Sequence, residues 1–246
     1  MERLQKVIAQ TNVSSRRQAE KLILEGRVEV DGVVVKELGT KVSKNQEIKV
    51  DGEIITKQNL VYLLLNKPTG VVSTTSDEKN RKTVIDLLDS DYKNTRVYPV
   101  GRLDFDTAGL ILLTNDGELT KKLTHPSYEI EKEYLARVEG VVIRKKLIEL
   151  RNGVTIDGNY FAKPRAARIV EIDKQNQSTL VSITISEGKN KQVRKMFSSL
   201  GFEVKTLTRI RFAHLTLDGV KRGSYRELKI HEIKKLYGIT SQNKST

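Results

Sequence analysis

The apolar run Leu110–Leu113 limits the fold of this chain more than any other stretch. Gly109 stands ahead of it and an Asn115-Asp116-Gly117 turn behind it, so it reads as a short buried strand. The segment leading in, GRLDFDTAG, sets two carboxylates, Asp104 and Asp106, two positions apart, with Arg102 just before them. Gly101 and Gly109 allow backbone turns that a Cβ resists, so a carboxylate here can be displayed from a rigid edge.

The segments around this strand alternate in type without a strict strand–helix–strand rhythm. VYLLLNKP is an apolar strand that ends at Lys67-Pro68-Thr69-Gly70, by itself a turn. TVIDLLDS reads as a short helix, ELTKKLTHP as a helix stopped near Pro126, and EKEYLARVEG as a strand with alternating Tyr134, Ala136 and Val138. VIRKKLIELRNG and KQVRKMFSSLG are helices ended by Gly153 and Gly201, and further strands fall near 166–172, 180–185, VKTLTRIRFAHLTL and YRELKI. Such a mixture predicts an α+β fold rather than a doubly wound sheet.

Residues 1–59 read as a separate unit. Leu4, Val7 and Ile8 have helical spacing. Ser14-Ser15 caps a second helix, SRRQAEKLILEG, which ends at Gly26. RVEV-DG-VVV carries a hairpin signal at Asp31-Gly32, and EIKVDGEII adds a short strand. Residues 60–238 form the second domain, and the polar residues 239–246 are expected to be a mobile tail.

Charge narrows the class of partner. Forty-four Lys and Arg against 31 Asp and Glu leave a formal charge of +13, which suits a polyanion. The excess is uneven: residues 186–235 hold 13 basic and 5 acidic residues, residues 1–59 hold 11 and 9. No apolar run approaches the roughly 20 residues that cross a bilayer, and the amphipathic start MERLQKVIAQ lacks the apolar core of a signal peptide. With no cysteine, disulfide and thiolate chemistry are excluded, and a cytoplasmic location is expected. His125, His214 and His231 lack metal-ligand spacing, so no metal site is expected.

Each chemical candidate has a plainer counterpart. In an extended segment Asp104 and Asp106 share a side and can pair as in a two-carboxylate glycosidase; in a loop they are solvated charges. In EGKNKQVRKMF, Val193 and Met196 or Phe197 face the core. Lys189, Lys191 and Lys195 either contact phosphate or decorate a solvated face. An arginine such as Arg194 beside a partly enclosed aspartate keeps that aspartate ionised. Tyr134 on its strand is either core filler or a surface on which an unstacked base rests.

Taken together, NKPTG, GRLDFDTAGLILLTNDG, KEYLARV and EGKNKQVRKMF, in this order and at these separations, resemble the RsuA/RluB-type family of ribosomal-RNA pseudouridine synthases. MERLQKVIAQ…SSRRQAEKLILEGRVEVDG resembles an S4 RNA-binding domain, with Thr11-Asn12 where a glycine-containing turn is more usual. The resemblance spans the chain to about Tyr237 and is closest to the large-subunit RluB branch.

It implies an S4-like module followed by a catalytic domain with a large mixed, mainly antiparallel sheet, flanked by helices around a central cleft. It also implies conversion of one uridine of ribosomal RNA, 23S or a large-subunit precursor, to pseudouridine without cofactor or metal. Neither a membrane nor an obligate protein partner is implied. Asp104 takes the position of the family's catalytic aspartate, as nucleophile at C1′ or as base for the 2′ proton. Tyr134 takes that of the tyrosine against the base, and Arg194 that of the basic residue paired with the aspartate. Val193 and Leu207 become pocket walls, and Arg102 the arginine that enters the RNA stack.

In the S4-like unit, Arg16, Arg17, Lys21 and Arg27 are candidate phosphate contacts. Alternatives are the small-subunit 16S branch, or a non-catalytic RNA-binding or ribosome-assembly factor on the same fold. Base flipping costs about a few kcal/mol, which a stacking tyrosine and an inserted arginine offset.

Overall fold

Local turn chemistry builds the N-terminal unit. A computed structural model describes residues 1–93 and 95–242 of the chain. The helix Arg16–Leu24 starts where the Ser15 hydroxyl accepts the Gln18 N–H at 3.1 Å, and it stops at Gly26, whose φ is +74°. Asp31-Gly32 turns the strand Val28–Val30 into Val33–Val34 with both turn residues at positive φ, as a type I′ hairpin requires. Asp51-Gly52 does the same between Ile48–Val50 and Glu53–Ile54. EIKVDGEII is therefore a second hairpin rather than one strand. Leu4, Ile8, Ala19, Leu22, Ile23, Val28, Ile48 and Val50 close a core of their own.

The rest of the chain is organised by a nine-stranded sheet. Its main order is Ala166–Asp173, Ser178–Ile185, Lys132–Glu139, Val204–Phe212, Thr107–Thr114, Tyr62–Lys67, Tyr225–Glu227. Leu215–Thr216 pairs with Val204–Phe212, and Tyr98–Pro99 with Thr107–Thr114. Neighbours are antiparallel, except that Thr107–Thr114 lies parallel to Val204–Phe212. The α+β expectation holds, with the predicted mixed, mainly antiparallel sheet.

Leu110–Leu113 sits near the middle of this sheet and is buried throughout. Its side chains alternate: Ile111 and Leu113 enter one core with Leu63 and Leu65, and Leu110 and Leu112 enter the other with Leu64. Apolar layers on both faces explain why the run is continuous rather than alternating. Gly109 is required by close approach. A Cβ there would lie 2.2 Å from the Arg209 carbonyl oxygen, at a φ of +111°.

Two expectations need correcting. TVIDLLDS is only a 3-10 turn, Ile85–Leu87, and a four-residue helix, Ser90–Lys93, starts at its last residue. The mobile tail expected from residue 239 is instead helical as far as the structure is described, because the last helix runs Ile230–Gln242. Ile239 packs on the second core, and the buried Thr240 turns its hydroxyl onto the Tyr237 carbonyl, so polar composition hid an anchored helix. Residues 243–246 lie outside the described residues.

Candidate active site

The Asp104-containing segment is a turn, clasped by the Lys67–Ser73 loop. The Thr107 N–H donates to the Asp104 carbonyl at 3.1 Å, closing the turn at Phe105-Asp106. The Gly70 N–H donates to the Phe105 carbonyl at 2.9 Å. Ser73 Oγ donates to the Leu103 carbonyl at 2.9 Å and accepts the Leu103 N–H at 3.1 Å. The loop after one central strand thus fixes the loop before its neighbour.

Because the chain turns here, Asp104 and Asp106 diverge. Asp104 is half-buried and lines a cavity of about 680 Å³; Asp106 is exposed and faces the helix Gln192–Ser198. The Arg194 guanidinium pairs with Asp106, Nη2 to Oδ2 at 3.0 Å, and Nη2 also reaches the Asp106 carbonyl at 3.2 Å. Its Nη1 donates to the Val204 carbonyl at 2.7 Å. The expected Arg194–Asp104 pair is thus corrected to Arg194–Asp106. The expectation assumed that the residue next to the cation would be the one facing the cavity, and the turn at Phe105 separates those properties.

The cavity gathers several predicted residues. Asp104, Tyr134, Val193, Leu207, Arg102, Lys189 and Lys191 line it. Tyr134 is 8 % exposed, so it forms wall rather than rim, and its main chain pairs with Ile183 and Arg209. Val193 is held by a helix whose buried face is Gln192, Val193, Met196 and Phe197, as the spacing predicted. Arg102 is exposed at the edge. Lys189 lies over the Tyr160 ring, 4.7 Å from its centroid, and the Tyr160 hydroxyl donates to Glu187 Oε2 at 2.7 Å.

Other predicted residues lie elsewhere. Arg194 and Lys195 do not line the cavity, and Lys195 pairs with Asp157 at 2.7 Å. Arg16, Arg17, Lys21 and Arg27 are exposed on the N-terminal unit. Arg27 is engaged by Asp51 through two hydrogen bonds, at 2.6 and 2.7 Å.

Sequence reasoning missed four residues. Lys67, read as part of a turn, is 0 % exposed and donates to the Val71 carbonyl at 2.7 Å and the Pro68 carbonyl at 3.0 Å. Burial lowers its pKa to about 8, while Asp106 and Asp104 pull the other way. Lys67 thus places a positive field under the carboxylate turn. Lys132, Arg209 and Thr107 also line the cavity. A period-two signal existed: Lys132 with Tyr134, and Leu207 with Arg209, are i, i+2 pairs on adjacent strands. Among the described residues no group of three or more His, Asp or Glu side chains is placed to hold a metal ion.

This site supports acid–base or covalent carboxylate chemistry in a deep, basic, partly aromatic cavity. The sequence family described as RNA pseudouridylate synthase matches residues 61–199, and the S4 domain family matches residues 2–48. The ribosomal large subunit pseudouridine synthase B of Bacillus subtilis (strain 168) is 47% identical, with 100% of this chain and 99% of that protein covered. An RNA pseudouridine synthase of Aquifex aeolicus (strain VF5) is 41% identical over 96% of this chain and 93% of its own. A crystal structure of pseudouridylate synthase superposes with a TM-score of 0.67 at 33% identity, covering 96% of this chain and 100% of that one.

Proposed function

From the premise that this chain belongs to the RNA pseudouridylate synthase family and carries an S4 domain, we propose that it isomerises one uridine of ribosomal RNA, in the large subunit, in the cytoplasm. The observation that carries the reading is the meeting of Asp104 and Tyr134 in one cavity walled by Val193 and Leu207. The large-subunit assignment rests on likeness to the Bacillus subtilis protein along its whole length.

In this reading residues 60–238 are the catalytic domain and residues 1–59 the RNA-binding module. The uridine leaves its helix and enters the cavity, since a stacked base is out of reach. Arg102, exposed at the edge, fills the gap left in the stack. Tyr134 packs on the base. Asp104 attacks C1′ or removes the 2′ proton, and either route breaks the C1′–N1 bond. The uracil turns in the cavity and C5 joins C1′. Water must be kept out, or free uracil is lost to hydrolysis. Arg194 is a positioning residue: through Asp106 and the Val204 carbonyl it clamps the turn that presents Asp104.

One active carboxylate distinguishes this from two-carboxylate glycoside hydrolysis, in which a second carboxylate serves as base or nucleophile. Asp104→Asn is expected to abolish tritium release from 5-tritiated uridine in ribosomal RNA while leaving RNA binding intact. Asp106→Asn, which keeps a side-chain oxygen and the main-chain carbonyl that accept from Arg194, is expected to retain activity. Loss of activity in both would favour the glycosidase-like chemistry. Full activity in Asp104→Asn would overturn the role of Asp104, and a wild type that binds but never releases tritium would favour the assembly factor.

A further inference from the structure

The cavity holds a pair of cations that the mechanism above does not use. Arg209 is 2 % exposed, and its Nε donates to the Leu110 carbonyl at 2.7 Å. Its Nη2 is buried with no hydrogen-bond partner among the described residues, and its guanidinium lies over the Phe212 ring, 5.1 Å from the centroid. Lys132 is half-buried and donates to the carbonyls of Ile130 at 2.9 Å, Ser186 at 3.3 Å and Glu187 at 3.3 Å. Burial and the nearby Arg209 charge lower its pKa to about 8, against the pull of Glu187. Neither cation forms an ion pair among the described residues. The acid that pulls on Lys132, Glu187, is engaged instead by Tyr160 and Gln192. Thr107, 2 % exposed and lining the same cavity, also has a buried hydroxyl with no hydrogen-bond partner among the described residues.

Two like charges taken out of water side by side are costly unless an anion joins them. Depth says which anion. A backbone phosphate is met at the rim, where the exposed Lys189 and Lys191 stand; Arg209 lies inside. Inside the cavity, on the isomerase reading, is the base. When the C1′–N1 bond breaks, its electron pair leaves with N1, and the uracil becomes an anion whose charge spreads onto O2 and O4. The charge is consumed when C5 bonds to C1′ and the C5 proton is replaced by one at N1. Composition is unchanged.

We propose that Arg209, Lys132 and Thr107 form an anion-stabilising floor that holds the carbonyl oxygens of the detached uracil. The assignment rests on the isomerase reading. The guanidinium and the hydroxyl donate to the oxygens, and the ammonium, already held by three carbonyls, supplies field. Donors fixed in place before charge develops act in this way in oxyanion holes.

The test is single-turnover conversion of ribosomal RNA by a saturating excess of Lys132→Met, Arg209→Lys or Thr107→Val, read as nucleosides after digestion. Lys132→Met and Arg209→Lys are expected to slow conversion about 100-fold with RNA Kd within about threefold, and Thr107→Val about tenfold. With 5-fluorouridine at the target position, which has no C5 proton to lose, the reaction is read as disappearance of the starting nucleoside; the ring itself carries more of the negative charge released at N1, so each deficit shrinks. A purely structural role would leave the deficit equal for both bases, which overturns the proposal. Unchanged rates at saturation, with weaker binding and a salt slope reduced by about one, would make these residues phosphate contacts and also overturn it. Thermal melts accompany each variant. If Arg209→Lys unfolds, Lys132→Met and Thr107→Val decide the outcome. A wild type without isomerase activity overturns the isomerase reading and this assignment with it; an active wild type with unimpaired variants overturns only the assignment.

Discussion

Lys67 shows how one side chain ties stability to the site. Its ordinary value of 10.5 falls to about 8 in the fold because burial penalises the charged form. Between those limits the unfolded chain binds the extra proton, so stability rises with pH across the window, by up to about 1.4 kcal/mol per pH unit. Above about pH 10 the effect is opposed, because Tyr62 and Tyr237 are held protonated by burial and by Asp116. Urea unfolding at about pH 7.5 and about pH 9.5 should show the wild type gaining stability and Lys67→Met gaining measurably less. Lys132, shifted in the same direction, accounts for what remains. At this scale the sequence was partly legible. Asp104, Tyr134, Val193 and Leu207 could be named because a motif puts each residue type at a fixed place. Arg194 could be named but not paired, since its partner depends on a bend at Phe105 that no periodicity records. Lys67 looked like loop chemistry because nothing local says that a lysine ending an apolar strand turns inward.

Among elements, the helix Gly117–Thr124 depends on a single carboxylate. Asp116 Oδ1 accepts the N–H groups of Glu118 and Leu119, both at 3.0 Å, and so caps the helix. Its Oδ2 accepts the Tyr62 hydroxyl at 2.8 Å and the Tyr237 hydroxyl, so the cap also fastens a central strand and the last helix. Asp116→Ala removes the cap and strands two phenols, and is expected to cost about 2–4 kcal/mol in denaturant unfolding. Asp116→Asn, which retains a capping oxygen, should cost less. The Asn115-Asp116-Gly117 turn could be read from sequence, as could Leu110–Leu113 and the Asp31-Gly32 hairpin, because turn residues and short apolar runs act locally. The reach to Tyr62 and Tyr237 could not, being separated by 54 and 121 residues. The same limit explains the last helix, whose final turn is secured by tertiary packing rather than by apolar content.

For the molecule as a whole, the proposed RNA affinity rests on two features: a charge of +13 and an N-terminal unit with its own core. Removing residues 1–59 leaves both catalytic-domain cores intact, so the remainder should still unfold cooperatively. Its ribosomal-RNA affinity should weaken, and the slope of log Kd on log salt should fall by about three, one each for the exposed Arg16, Arg17 and Lys21. Arg27, already neutralised by Asp51, should add little. Unchanged affinity would remove the RNA role assigned to this unit. Domain order and the basic excess were legible in sequence, because composition is additive along the chain; the seating of one unit on the other was not. That seating runs through the helix Gly117–Thr124. Lys6 pairs with Glu118 at its start at 2.5 Å, and Leu123, Thr124 and His125 line the cavity at its end. Eight residues rising 1.5 Å each make a strut of about 12 Å between the two. On the proposed reading, an RNA gripped by the N-terminal unit meets the cavity at an offset this strut sets, so spacing along the RNA as well as its sequence would decide which uridine reaches the opening.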